Sequence, residues 1–212
     1  MPAPAPKLYL ATPFVFEPTP FADALARVLD AAEIACVRLR LRGATEEELR
    51  FAADALRPVC HAREVAMVLS DDWRSAQATG ADGVHFELGA NAQVEARQAL
   101  GDDAIIGVSC GASRHQAMLA GERGADYVAF GPVGPTPNGA PEDRADRALF
   151  EWWQETMEPP VVAEGGLTPE IARALVGAAD FVTVGAAVWR HPDGPIAGVR
   201  AIAEAVVAEA AA

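Results

Sequence analysis

The sequence predicts a single (β/α)8 barrel, the TIM-barrel architecture, with residues 1–212 forming one domain. Short β-rich runs alternate with longer helical patterns eight times along the 212 residues, as the repeating unit of this fold requires. Three related stretches, GADGV, GADYV and AADFV, each end a helical pattern and open a strand, which is typical of a recurring helix-to-strand corner. A doubly wound open sheet is the competing architecture, but no Gly-x-Gly-x-x-Gly follows the first strand.

Individual elements follow from local patterns. Short apolar and β-branched runs predict strands at Lys7–Thr12, Ile34–Leu41, Val65–Leu69, Gly83–Phe86, Ala104–Val108, Tyr127–Phe130, Val161–Ala163 and Phe181–Val184. The intervals predict helices at Phe21–Ala32, Glu46–Cys60, Asp72–Thr79, Ala92–Leu100, Arg114–Arg123, Asp143–Met157, Pro169–Val176 and Pro195–Ala210. Two helix starts are well marked, because Thr45 with Glu48 makes a capping box and Thr168 precedes an N1 proline.

Composition restricts the setting of the protein. Residues 1–6, in which Pro and Ala alternate after the initial Met, predict a flexible N-terminal arm without the basic and apolar regions of a signal peptide. No apolar run approaches the roughly 20 residues of a membrane span. The three cysteines, Cys36, Cys60 and Cys110, are scattered without metal-ligand spacing, which favours a reduced, cytoplasmic setting. The oligomeric state stays open, a homo-oligomer included.

The net charge of −13 argues against a nucleic-acid partner, because no general basic field is present to neutralise phosphates. The negative net charge does not exclude a small anionic ligand that is bound by a local cluster of hydrogen-bond donors or cations. In this fold such ligands bind at the carboxyl ends of the strands and in the loops that follow them.

Strand two carries the most informative pattern. In CVRLRLRG, strand alternation places Arg38, Arg40 and Arg42 on one face and apolar residues on the other. The apolar face must contact the helices, so the arginines point toward the lumen or its upper rim. Buried guanidinium groups require a partner. That partner is either an anionic ligand, for which phosphate suits the guanidinium geometry, or an internal carboxylate, with candidates at Asp71, Asp72 and Glu164.

Glycines end strands seven and eight. Gly165 and Gly166 follow the first of these, and Gly185 with Ala186 follows the second. Loops at these two places commonly bind phosphate through backbone N–H groups, although glycine is also an ordinary turn residue. The chain thus offers two candidate anion sites, one made of arginines and one of backbone amides.

Strand three ends in Ser70, Asp71 and Asp72. A pair of carboxylates at this edge could hold Mg²⁺ against a bound phosphate. The alternative is a helix N-terminus, where Asp is favoured in any case.

Four stretches in this order, GADGVH, IIGVS, GADYVAFGPVGPTP and VVAEGGLTPE, resemble the thiamine phosphate synthase family. The resemblance extends over nearly the whole chain. It implies a barrel enzyme that joins a hydroxymethylpyrimidine pyrophosphate to a thiazole phosphate, releases pyrophosphate and uses Mg²⁺. The related thiazole tautomerase fits less well, because Pro132 stands where that relative has a catalytic His.

The resemblance also implies residue roles. Arg38, Arg40 and Arg42 correspond to the family's Gln-x-Arg-x-Lys, so only the central residue is identical. The implied catalytic residues are Arg40, Arg42, Ser109 and Thr136. The implied substrate- or phosphate-binding residues are Arg38, Ser70, His85, Asn138, Gly165, Gly166, Gly185 and Ala186. The implied metal ligand is Asp71, with Asp72 or Glu87 replacing the family's second acid, since Ala90 stands at that position.

The loop after strand six departs most from the family pattern. Gly139 stands where the family has a lysine that meets pyrophosphate, and Ala186 replaces a serine. Each lost electrostatic contact is worth about 3 kcal/mol, or roughly a hundredfold in rate. Two interpretations follow: a synthase in which the additional arginines compensate, or a degenerate relative that binds a phosphorylated thiazole- or thiamine-type ligand as a carrier or regulator.

Overall fold

The computed structural model, which describes residues 4–87, 92–136 and 143–211, confirms the closed parallel barrel. Its eight strands pair in sequence order, and the last strand pairs with the first. The strands are β1 Lys7–Ala11, β2 Ile34–Leu39, β3 Ala66–Ser70, β4 Gly83–Phe86, β5 Ile105–Ser109, β6 Tyr127–Phe130, β7 Val161–Ala163 and β8 Phe181–Val184.

Helices follow the strands around the outside of the barrel. They are α1 Pro18–Leu29, α2 Glu46–His61, α3 Trp73–Thr79, α4 Gln93–Leu100, α5 Arg114–Glu122, α6 Arg147–Thr156, α7 Pro169–Ala174, α8 Ala186–Trp189 and α9 Pro195–Ala210. Both predicted helix starts are confirmed: Thr45 and Glu48 form a reciprocal capping box, and the Thr168 side chain accepts from the N–H of Ile171. In the described part of the chain, no helix is long and apolar enough to cross a bilayer.

Several boundaries differ from the sequence prediction for identifiable reasons. Helix α1 begins at Pro18, before the predicted Phe21, because a proline at the first helical position needs no hydrogen-bond partner for its nitrogen. Helix α6 begins at Arg147, since the Asp146 side chain caps it by accepting from the N–H of Leu149 at 3.0 Å. The short helix α8 is an addition that the sequence analysis did not predict.

Strand alternation separates two apolar layers. Leu8 and Leu10 of β1, with their counterparts on the other strands, pack outward against the helices in the main core. The intervening residues fill the barrel interior, where a second apolar cluster consists of Tyr9, Val68, Tyr127, Ala129 and Val162. Pro6, the last residue of the predicted arm, is buried, whereas residues 1–3 lie outside the described residues.

One glycine makes room for a large interior side chain. A Cβ atom on Gly107 of β5 would overlap the ring of Tyr127 on the neighbouring strand β6. The absence of a side chain at this position therefore permits a tyrosine in the middle of the barrel. Its hydroxyl group is directed to the polar residues described below.

Candidate active site

A cavity of about 460 Å³ opens at the carboxyl ends of the strands, the face predicted from the fold. Residues of strands β1, β2, β5 and β8 contribute to it, together with residues that follow each strand except β3. Its lining comprises Ala11, Phe14, Arg38, Arg40, Glu87, Ser109, Gly111, Gly131, Pro132, Glu164, Gly165, Gly166, Leu167, Thr183, Gly185, Ala186 and Ala187.

Arg40 brings a cation into this cavity without a carboxylate partner within 4 Å among the described residues. Its Nε and Nη2 donate to the carbonyl oxygen of Thr12 at 3.1 and 2.7 Å, and its guanidinium lies over the ring of Phe14 at 4.3 Å. Burial and the neighbouring Arg38 lower the pKa of Arg40 to about 10, so it remains charged at neutral pH. The unpaired positive charge suits an anionic ligand.

Arg38 pairs with an internal carboxylate, which is the second of the two partners considered for these arginines. Its Nη2 lies 3.0 Å from Oε2 of Glu164, and only 3% of the arginine is exposed. Burial by itself would raise the pKa of Glu164, but the positive charge of Arg38 and the hydrogen bond from Ser109 lower it to about 2. The carboxylate is therefore ionised, and Arg38 is largely neutralised by it.

Arg42 lies outside the cavity. Its guanidinium covers the ring of Phe14 at 4.5 Å, and it lines a neighbouring hollow instead. Strand β2 ends at Leu39, earlier than the predicted Leu41, because the side-chain hydroxyl of Thr12 takes over as acceptor for the N–H of Arg40 at 2.9 Å. Of the three arginines, Arg38 and Arg40 thus face the site, and Arg42 does not.

Backbone amides border the cavity next to Arg40. Gly165 and Gly166 have φ values of +80° and +71°, which favour glycine. The N–H groups of these two glycines and of Ala186 and Ala187 donate no hydrogen bond within the described part of the chain. A Cβ atom on Gly185 would lie 3.2 Å from Nη2 of Arg40, so the loop after β8 adjoins this cation. The arginine and the glycine loops after β7 and β8 line one cavity, whereas the sequence predicted two anion sites. This arrangement has the chemistry of a phosphate cradle.

An acidic edge lies at the ends of β3 and β4. Ser70 donates to Oε1 of Glu87 at 2.9 Å, and the N–H of Glu87 donates to Oδ1 of Asp71 at 2.7 Å. Burial raises the pKa of Asp71, and the charge of Glu87 adds to this effect. One oxygen of each carboxylate is not engaged by the described residues. Asp72 is different, because both of its oxygens accept from Ser75 at the start of α3.

A chain of buried polar groups leads from the cavity into the barrel. Ser109 donates to Oε1 of Glu164, and its Oγ lies 2.8 Å from Nε2 of His85. His85 Nδ1 lies 2.8 Å from the hydroxyl of Tyr127, which in turn lies 2.7 Å from the hydroxyl of Tyr9. His85 is fully buried, and this burial, together with the charge of Arg38, holds its pKa well below the usual value. His85 thus lies beneath the cavity, next to two residues that line it: its Nε2 is hydrogen-bonded to Ser109 and lies 3.9 Å from Oε2 of Glu164.

The loop after β6 is described as far as Thr136. A Cβ atom on Gly165 would lie 3.8 Å from Cγ2 of Thr136, which places this threonine beside the β7 glycines. Three positions from the sequence analysis, Ala90, Asn138 and Gly139, lie outside the described residues.

Sequence reasoning missed four contributors to the site. Thr12 and Phe14 position Arg40, and Tyr9 and Tyr127 extend the polar chain below Ser109. Only the tyrosines had a visible signal, since both stand at inward-facing positions of predicted strands. Glu164 was recognised as a salt-bridge candidate, but not as the residue that joins Arg38 to Ser109.

Comparisons with known proteins agree with this arrangement. A family model described as Thiamine monophosphate synthase matches residues 8–188. The chain belongs to this family. A thiamine-phosphate synthase from Rhodospirillum centenum is 50% identical over 194 residues, which cover 91% of this chain and 94% of the relative. Another from Erythrobacter litoralis is 39% identical over 207 residues, covering 95% and 96%.

A solved structure from Pyrococcus furiosus is similar as well. The chain described as thiamine phosphate pyrophosphorylase superimposes with a TM-score of 0.81 at 25% identity, and the match covers 96% of each chain. The family resemblance inferred from the sequence is therefore confirmed.

Proposed function

We propose that the protein is a thiamine-phosphate synthase, a transferase that joins a hydroxymethylpyrimidine pyrophosphate to a thiazole phosphate and releases pyrophosphate. The observation that carries this proposal is the cavity that Arg40 lines together with four backbone amides, where the described residues supply neither a carboxylate for the cation nor acceptors for the amides. A site of this kind binds phosphate groups. Its location in a chain that belongs to the synthase family supplies the substrate class.

The chemistry follows from where charge develops. Negative charge accumulates on the departing pyrophosphate as its bond to the pyrimidine methylene breaks. A preorganised cation and amides stabilise that charge more in the transition state than in the ground state. Arg40 is held for this task by two hydrogen bonds to Thr12 and by the ring of Phe14, so little reorganisation is needed when the charge appears.

Asp71 and Glu87 fit an Mg²⁺ ion. The described residues include no cluster of three metal-ligating side chains. However, Mg²⁺ commonly binds one or two carboxylates and completes its shell with water and substrate phosphates. Glu87 lines the cavity, and its N–H bond to Asp71 holds the two acids together. Mg²⁺ bound by these two acids would supply positive charge to the leaving pyrophosphate. Glu87 would then replace the family's second acid, at whose position this chain has Ala90.

Activity is tested by coupling the two purified substrates in the presence of Mg²⁺. We expect thiamine phosphate and pyrophosphate to form in equal amounts, well above the uncatalysed rate. Binding of both substrates without turnover would reject the synthase and support the carrier interpretation. That interpretation is not favoured, because relatives that cover nearly the whole chain are thiamine-phosphate synthases.

A further inference from the structure

The indole N–H of Trp189, the last residue of α8, ties this helix to the end of β1. It donates to the carbonyl oxygen of Ala11 at 2.8 Å. In the same peptide group, the N–H of Thr12 donates to the carbonyl oxygen of Arg38 on β2 at 3.0 Å. The two polar groups of a trans peptide point in opposite directions, so this peptide is held between β2 on one side and Trp189 on the other.

The same tryptophan supports the loop between β1 and α1, residues 12–17, at its other end. Its ring packs against Phe21 of α1 with the ring centroids 4.7 Å apart, and Phe21 packs against Phe16 of the loop at 4.2 Å. Phe21 is buried and belongs to the main apolar core. Trp189 therefore holds the start of the loop directly and supports its end through Phe21.

This loop carries both groups that orient Arg40. The carbonyl oxygen of Thr12 accepts from Nε and Nη2 of the guanidinium, and the ring of Phe14 lies against it. The carbonyl that binds Arg40 is the next one along the chain after the carbonyl that Trp189 binds. Trp189 itself is not among the described residues that line the cavity. The shortest path from its indole N–H to a bound anion therefore passes through Thr12 and Arg40.

We infer that Trp189 is a positioning residue of the anion site. By fixing the peptide between Ala11 and Thr12, it keeps the carbonyl of Thr12 in the place from which Arg40 is aimed into the cavity. Without the indole N–H this peptide can rotate, and the guanidinium loses its fixed direction. That the anion is the pyrophosphate of a synthase rests on the proposed function, whereas the link between Trp189 and Arg40 rests on the contacts alone.

The affinity for inorganic pyrophosphate in the presence of Mg²⁺, measured by calorimetry, provides the first test. The Trp189→Phe variant keeps an aromatic ring next to Phe21 and removes the N–H group. We expect the dissociation constant to rise about fivefold, which is the effect of losing one hydrogen bond between neutral groups. An unchanged dissociation constant would overturn the inference.

Trp153→Phe is the matched control. The indole of Trp153 also donates to a backbone carbonyl, that of Pro159 at 2.7 Å. Pro159 lies just before the start of β7 and therefore at the end of the barrel opposite the cavity. The control should keep the wild-type dissociation constant within about twofold. A rise of about fivefold in both variants would indicate a general structural effect and would also overturn the inference.

A tryptophan analogue with sulfur in place of the indole N–H, inserted at position 189, separates the hydrogen bond from the packing of the ring. The analogue keeps the size of the side chain, so it tests the inference even if Trp189→Phe does not fold. We expect the same loss of affinity, about fivefold. Wild-type affinity in this protein would contradict the role of the hydrogen bond.

A double-mutant cycle with Arg40→Met tests whether Trp189 acts through Arg40. The effects of independent residues on binding add, whereas those of coupled residues do not. In the Arg40→Met background, Trp189→Phe should therefore change the dissociation constant for pyrophosphate by less than about twofold. A further loss of about fivefold in this background would refute the path through Arg40.

Turnover separates this inference from the proposed function. An effect of Trp189→Phe on pyrophosphate binding without formation of thiamine phosphate would reject only the synthase. Turnover with equal pyrophosphate affinities in wild type and Trp189→Phe would reject only the positioning role. A wild-type protein that does not bind pyrophosphate would reject both.

Discussion

Gly166→Ala should damage the phosphate cradle by displacing a loop rather than by removing a contact. A Cβ atom on this residue would lie 2.6 Å from the carbonyl oxygens of Gly134 and Pro135, and ordinary contact begins at about 3.5 Å. The loop after β6 must therefore move by about 1 Å. A shift of this size at a reacting centre costs about 100-fold in rate. We expect kcat/KM for thiamine phosphate formation to fall by about that factor.

The Gly124→Ala variant is the control that separates the effect of loop displacement on activity from the effect of backbone strain. Gly124 has a φ of +80°, close to the +71° of Gly166, but a Cβ atom there would meet nothing within 4 Å. Both variants pay about 1 kcal/mol for alanine in the left-handed region, which lowers Tm by about 2–4 °C in a domain of this size. Gly124→Ala should keep full activity. If Gly166→Ala retained activity within threefold of this control, the loop would not be held as the packing indicates.

Three other predictions concern the charged groups. Arg40→Met should lower kcat/KM by about 100-fold, since it removes the cation that we propose stabilises the leaving group. Unchanged steady-state kinetics would show that the cation does not serve the reaction. Arg38→Met should lower the free energy of unfolding, measured by urea titration, by about 3–5 kcal/mol, because it leaves Glu164 buried and unpaired. A loss below about 1 kcal/mol would contradict the burial of this pair. The pKa of Glu164 falls from its usual 4.5 to about 2 on folding, so its contribution is present above pH 4.5 and is lost as the pH falls toward 2. The stability difference between wild type and Glu164→Gln should therefore shrink over that range, and a constant difference would refute the depressed pKa.

The barrel architecture could be predicted from the sequence because it depends on the periodicity of apolar residues and on the repeated turns from helix to strand. All eight strands lie where short apolar runs indicated them, and the caps at Thr45 and Thr168 follow from local rules that need no tertiary information. The end of β2 could not be predicted in this way. It depends on the hydroxyl of Thr12, 28 residues away in the chain.

The site was only partly predictable for a similar reason. Strand alternation assigned Arg38, Arg40 and Arg42 to one face, but it gave no means to tell which would meet a carboxylate. The structure distinguishes them through residues on other strands and loops: Glu164 neutralises Arg38, whereas Arg40 and Arg42 both contact the ring of Phe14 and line different cavities. These long-range contacts decide which cation stays available for a ligand.

The fit of Tyr127 against Gly107 has an evolutionary consequence. Any side chain at position 107 overlaps the tyrosine ring, so neither residue can be exchanged freely while the other is kept. Relatives with a larger residue at the first position should therefore carry a smaller one at the second, and their His85 counterparts would need another hydrogen-bond partner for Nδ1. The two positions should covary across the family, and their joint state would mark which members share the buried polar chain of this protein.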